Sequence, residues 1–186
     1  MSPFLRRRRL ARISALIKAN DVVLDLACGN GFLREHLPQG CRYFGVDRIV
    51  SSMPGHFDSF AQIDISRPDA FDQIRQWLPD QPTVITLAAF LEHLKHPAGI
   101  LKVCQRLCEK RTRIVGTTPH PRGRAIHDSL ARLGICSRGG AEEHETFLDQ
   151  SKLSKAGEEA GLTLVYYRQF LCGLNQLFVY EKRAGI

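Results

Sequence analysis

Residues 23–31 read Val-Leu-Asp-Leu-Ala-Cys-Gly-Asn-Gly: an apolar run, one carboxylate at Asp25, then Gly29 and Gly31 flanking a single polar residue. Glycine takes φ > 0 and carries no Cβ, so a ligand can approach such backbone closely. A second apolar run, Tyr43-Phe44-Gly45-Val46, ends in another carboxylate, Asp47. A carboxylate accepts two hydrogen bonds and suits a vicinal diol. In open α/β sheets an acid at such a strand end meets ribose hydroxyls. Together these residues describe a nucleoside site.

Proton transfer at a neighbouring acceptor would fall to histidine, whose ordinary pKa lies near neutrality. Three are candidates. His93 follows an apolar strand, and its alternative role is packing at a helix start. His120 sits in Thr118-Pro119-His120-Pro121. His144 lies within Glu142-Glu143-His144-Glu145, where the acids would raise its pKa. His36, His56, His96 and His127 read as surface residues. No metal site is expected: the 142–145 cluster lacks the His-x₃-His spacing of a helical metal site. The six cysteines lack CxxC spacing and read as reduced core thiols, in keeping with a cytoplasmic protein.

These groups must be carried by alternating strands and helices. Leu10, Ile13 and Ile17 recur at helical spacing, predicting an amphipathic helix over 4–18 with Arg6–Arg9 on its solvated face. Strands are predicted at 22–26, 42–46, 60–63, 83–88 and 113–116, with helices at 31–37, 68–78 and 97–110. Residues 48–58 read as a loop or short helix. The stretch 117–148 is long for a loop in a compact domain and therefore functional or mobile, with a short helix around Ile126, Leu130 and Leu133. A helix capped by Asp149 and stopped by Gly161 precedes two strands, 162–170 and 174–181. Five strand–helix alternations and a terminal hairpin predict a doubly wound, mostly parallel sheet with an antiparallel strand at or near one edge.

At 186 residues the chain suits one domain, 1–186, headed by an N-terminal helix within 1–19. No apolar run approaches the ~20 residues of a membrane span. No apolar segment follows the N-terminal arginines, which argues against a signal peptide. The net charge of +7 suits RNA, an anionic membrane surface or a phosphorylated substrate.

The chain resembles the class I S-adenosylmethionine-dependent methyltransferases of small size, particularly the quinone- and small-molecule-methylating branch. The resemblance rests on residues 23–31, Phe44–Asp47, Gln62-Ile63-Asp64-Ile65, and the segment from Ile85 through Leu91-Glu92-His93-Leu94 to Pro97, in register over residues 20–116. It implies an α/β fold with a seven-stranded sheet of order 3-2-1-4-5-7-6, strand seven antiparallel. It also implies S-adenosylmethionine as cofactor, with S-adenosylhomocysteine as product. On this resemblance Asp25 orients the methionine end, over backbone at Ala27, Gly29 and Gly31. Asp47 takes the ribose, and Arg48 stacks on the adenine edge or pairs with Asp47. Asp64 and the Ile65 amide meet the adenine, and Ala88 and Ala89 line the site. The 117–148 segment, with His120 and His144, would act as lid and substrate selector.

The resemblance implies methyl transfer to a small-molecule, lipid-precursor or saccharide acceptor, O-methylation first and C-methylation next. A nucleic-acid methyltransferase is the alternative, but Leu87-Ala88-Ala89-Phe90 lacks the Asn/Asp-Pro-Pro-aromatic box used on base amines. A non-catalytic cofactor-binding scaffold is the third reading. A dinucleotide oxidoreductase is disfavoured because Arg34 stands where a third glycine is needed. Peripheral membrane contact is compatible with the charge.

Overall fold

The computed structural model describes residues 3–123 and 146–183. Its helices are α1 (Pro3–Ser14), α2 (Ala70–Trp77), α3 (Pro97–Leu107) and α4 (Gln150–Glu159). Its strands are β1 (Val22–Leu26), β2 (Arg42–Asp47), β3 (Ser59–Gln62), β4 (Val84–Ala88), β5 (Arg113–Pro119), β6 (Leu162–Phe170) and β7 (Asn175–Lys182). They form one sheet in the order β3-β2-β1-β4-β5-β7-β6. β1 pairs in parallel with both β2 and β4, whereas β7 runs antiparallel to β5 and β6. The implied strand order is the observed one. The chain leaves β1 towards β2 and returns on the other side at β4, which opens a crevice at the carboxyl ends of these strands.

Every residue of β1 is buried, as expected for a central strand covered on both faces. One core joins Leu24, Ile85 and Ile114 to Ile74, Leu101 and Leu153 of α2, α3 and α4. The other joins Val23, Tyr43, Val84 and Val115 to Leu10 and Ile13 of α1. Side chains alternate across a strand, so Asp25 follows Val23 onto the α1 face and Leu24 faces the other way. No helix among the described residues is long and apolar enough to cross a membrane.

Several boundaries differ from expectation. The predicted helix at 31–37 is only a 3₁₀ turn, Phe32–His36. Pro38 leaves no room for more, and the Ser14 hydroxyl binds the His36 carbonyl where a further turn would need it. α1 ends at Ser14, followed by tight turns, rather than at residue 18. α3 stops at Leu107, and the Thr112 hydroxyl receives the Glu109 amide just beyond it. β5 runs on to Pro119, paired with β7, so the start of the 117–148 segment belongs to the sheet. The helix expected around Ile126 lies outside the described residues. The Asp149 cap does form, its carboxylate accepting the Lys152 amide at 2.9 Å.

Gly116, in the middle of β5, fixes how closely β7 packs. A Cβ there would lie 2.2 Å from the Phe178 ring and 2.8 Å from the Leu87 carbonyl oxygen. Phe178 is fully buried and cannot yield. Gly116→Ala is therefore expected to lower stability by about 2 kcal/mol through overpacking, measured by urea unfolding.

Candidate functional site

The tips of β1 and β4 turn sharply. Ala27 (φ 58°) and Ala89 (φ 55°) both occupy the left-handed region, which a residue with a Cβ adopts at a cost of about 1 kcal/mol or more. The strained turns are held by the Ala89 amide on the Thr117 carbonyl (2.8 Å) and the Cys28 amide on the Val46 carbonyl (3.2 Å). Two clefts meet at these alanines. One, of about 280 Å³, is lined by Asp25, Cys28, Gly29, Asn30, Phe32 and Ala88, with Arg6 and Arg9 of α1. The other, of about 670 Å³, is lined by Asp47, Arg48, Ile49, Asp64, Ile65, Phe90 and His93. Both include Ala27 and Ala89.

Asp47 ties the two glycine-side loops together. One carboxylate oxygen accepts the Gly29 amide at 2.8 Å and the other the Ile49 amide at 3.0 Å. Asp64 is exposed, and the Ser66 hydroxyl (2.6 Å) and amide (3.0 Å) hold its carboxyl below the usual carboxylate range. Asp25 differs from both. It is buried, and accepts hydrogen bonds from the Tyr43 hydroxyl (2.5 Å) and the Thr86 hydroxyl (2.6 Å). Burial outweighs these bonds and pushes its carboxyl up to about 6. Burial, then the carboxylates of Asp25 and Asp47, pushes the Cys28 thiol up too, so Cys28 stays protonated and is no nucleophile.

Gly31 lines neither cleft. A Cβ on Gly31 would lie 2.4 Å from the Phe57 ring, and one on Gly45 would lie 2.2 Å from it. Phe57 stacks on Tyr43 with ring centroids 5.2 Å apart. These two glycines admit an aromatic wedge beneath the loop that carries Gly29.

The arginine run is not the uniformly solvated face that the sequence suggested. Arg6 stacks over the Phe32 ring at 3.8 Å, and Arg9 is buried with Nε donating to Asn175 Oδ1 at 2.6 Å. The signal was present: Arg9, Ile13 and Ile17 are spaced i, i+4, i+8, which places Arg9 on the buried stripe. Glu92 is also buried, with one oxygen receiving the Thr118 hydroxyl at 3.0 Å. Burial raises its pKa, while the charge of Arg9 opposes that shift. Its flanks in the sequence, Leu91 and His93, gave no sign of that burial. Arg9→Ala is expected to lower stability by about 2 kcal/mol, because Asn175 and Glu92 both lose a charged neighbour. Adding Glu92→Gln should restore part of the loss in thermal unfolding.

The histidines separate. His93 lines the larger cleft. His120 lines neither cleft; its Nδ1 accepts the Arg122 amide at 3.1 Å, and burial, then Arg122, lowers its pKa. His144 lies outside the described residues. Thr146 does fasten the returning chain beside the site, its amide on the Glu92 carbonyl and its hydroxyl on the Leu94 carbonyl.

A family model described as a methyltransferase domain matches residues 3–167. The chain belongs to that family. It is similar to the ubiquinone biosynthesis O-methyltransferase of Pseudomonas aeruginosa (strain UCBPP-PA14), 27% identical over 153 residues that cover 77% of this chain and 65% of that protein. This methyltransferase domain thus spans less than two thirds of that relative's length. Among solved structures it resembles the Burkholderia thailandensis 1,6-didemethyltoxoflavin-N1-methyltransferase, determined with 1,6-didemethyltoxoflavin and S-adenosylhomocysteine bound. The TM-score is 0.69 at 16% identity, over 96% of this chain and 78% of that one. It also resembles a SAM-dependent methyltransferase from Archaeoglobus fulgidus, with a TM-score of 0.68 at 20% identity over 97% and 95% of the two chains. These likenesses show the fold.

In this methyltransferase domain the two clefts are chemically unlike. The larger carries carboxylates on the β2 and β3 side, acceptors suited to hydroxyls and amines. The smaller carries the guanidinium groups of Arg6 and Arg9 together with the buried carboxyl of Asp25, a set suited to a carboxylate and an amine.

Proposed function

We propose that the domain transfers the methyl group of S-adenosylmethionine to a small-molecule, lipid-precursor or saccharide acceptor, with O-methylation favoured. One observation carries the proposal: a cleft bearing Asp47 and Asp64 and a cleft bearing Arg6, Arg9 and Asp25 join at the strained backbone of Ala27 and Ala89, at the β1–β4 crevice. That polarity matches a ligand with a ribosyl-adenine at one end and an amino acid at the other. Asp47 would accept the ribose hydroxyls, its position fixed by the Gly29 and Ile49 amides. Asp64 and the Ile65 amide would meet the adenine. Arg6 and Arg9 would hold the carboxylate, and Asp25 would orient the amino-acid end through the lone pairs that Tyr43 and Thr86 leave open.

The bound donor would supply an electrophilic methyl on a sulfonium. The protein's part is to align and dry the reacting atoms, and such alignment supplies about 7–11 kcal/mol of a barrier. An acceptor hydroxyl must also lose a proton, and a positioned base gives ~10²–10⁴-fold. His93 is the base candidate that lines a cleft, and His144 is proposed alongside it from the sequence. The unpaired state of the described cysteines is compatible with a cytoplasmic location. The test is transfer of label from methyl-labelled S-adenosylmethionine into fractionated metabolites. Label in a small-molecule or lipid fraction supports the reading. Label confined to RNA overturns the acceptor class, and no label despite donor binding supports a scaffold.

A further inference from the structure

Among the described residues six large apolar side chains are exposed: Phe4, Ile49, Val50, Met53, Val165 and Tyr166. One of them, Ile49, lines the larger cleft, and Val50 and Met53 follow it on the same loop. Phe4 begins α1, the helix whose Arg6 and Arg9 line the smaller cleft. Ile49, Val50 and Met53 lie on the loop after Asp47, which reaches Phe32 through His56. Phe32 connects the two rims, with Arg6 stacked on it and His56 meeting it edge-on at 6.0 Å.

The loop is held from below. Asn30 Oδ1 accepts the Ser52 amide and hydroxyl, each at 3.0 Å, and the Asn30 carbonyl lies 3.0 Å from His56 Nδ1. Its polar side is thus occupied, and its apolar tips point outward at 63–65% exposure for Ile49 and Val50. Charge gives the second half of the pattern. Residues 3–20 and 48–57 contain no Asp or Glu, while Arg7, Arg8, Arg12 and Arg48 are exposed. Asp47 and Asp64 line the larger cleft and are engaged by backbone amides. Apolar tips set among cations, with Glu35 of the Phe32–His36 turn the one exposed carboxylate on the segment between them, match a bilayer interface bearing anionic headgroups. A nucleic acid would use the cations but leave isoleucine, valine and methionine tips without a role.

We propose that the rim formed by α1 and the 48–56 loop docks the mouth of the clefts onto an anionic lipid surface. This surface stands independently of the chemistry proposed above, and places the site where a lipid-borne acceptor would be reached from the membrane.

The test is co-sedimentation with vesicles of mixed phosphatidylglycerol and phosphatidylcholine, against phosphatidylcholine alone. Binding to the anionic vesicles is expected to be about tenfold tighter or more, and to fall with added salt. A Phe4→Ser, Val50→Ser double variant should bind about tenfold more weakly. Arg7→Glu with Arg8→Glu should erase the anionic preference. Val165→Ser with Tyr166→Ser, on β6, should change nothing. Unaltered thermal unfolding and unaltered calorimetric titration with S-adenosylhomocysteine serve as folding controls for Phe4→Ser, Val50→Ser, and Met53→Ser replaces that pair should it misfold. Equal binding to neutral vesicles, no binding, or insensitivity to the rim substitutions overturns the proposal. So does retention on single-stranded RNA that the arginine substitutions abolish and the apolar ones leave intact. Calorimetry with the nucleoside reports on the cofactor reading separately.

Discussion

Asp47→Ala is expected to weaken binding of S-adenosylmethionine about 100-fold or more. The carboxylate stands at the tip of β2, where it lines the larger cleft and ties the Gly29 loop to the Ile49 loop by bonds of 2.8 and 3.0 Å. Its removal takes away the acceptor proposed for the two ribose hydroxyls and loosens both loops at once. The amides it releases lie where water can reach them, so the fold should survive with a small loss. Asp47→Asn keeps one acceptor oxygen and should fall between the two proteins. Isothermal titration reads the effect; a loss below about threefold would remove Asp47 from the donor site.

Asp25→Asn is expected to stabilise the protein near neutral pH while it impairs donor binding. The folded carboxyl titrates at about 6, against an ordinary 3.8. Between those values the folded protein keeps a proton that the unfolded chain has released. Stability is therefore withdrawn as pH rises from about 4 through about 6, by up to about 3 kcal/mol in all. Asparagine has nearly the same shape, can still engage the Tyr43 and Thr86 hydroxyls, and has no charge to bury. Urea unfolding at both ends of that window should give a variant-minus-wild-type difference that grows with pH. A constant difference would mean that Asp25 is ionised as easily as an exposed acid. With the growing difference, the wild-type residue is a case of stability given up for a charge at the site.

The strand-tip acids and the glycine loop were legible because each ends a short apolar run, and such runs determine both the strand and the end at which the crevice opens. Sheet order followed from the resemblance and is matched by the pairing of β1 with β2 and β4. The turn after Gly31 was misjudged because apolar spacing over Phe32–Leu37 reads as helix. Pro38 and the contact with Ser14 allow only a 3₁₀ turn. Arg9 was hidden by its charged neighbours, although its spacing to Ile13 and Ile17 pointed inward. Asn175 and Glu92 come to Arg9 from β7 and from the turn after β4, and no local pattern announces such long-range company. Gly31 was expected beneath the donor, yet the structure sets Phe57 against it and against Gly45.

Calorimetric titration of the intact chain with S-adenosylhomocysteine and S-adenosylmethionine tests the central claim most directly. Saturable binding of both, lost in Asp47→Ala and weakened in Arg6→Ala, is the expected result. Absence of heat with well-folded protein, or binding indifferent to both substitutions, would contradict it.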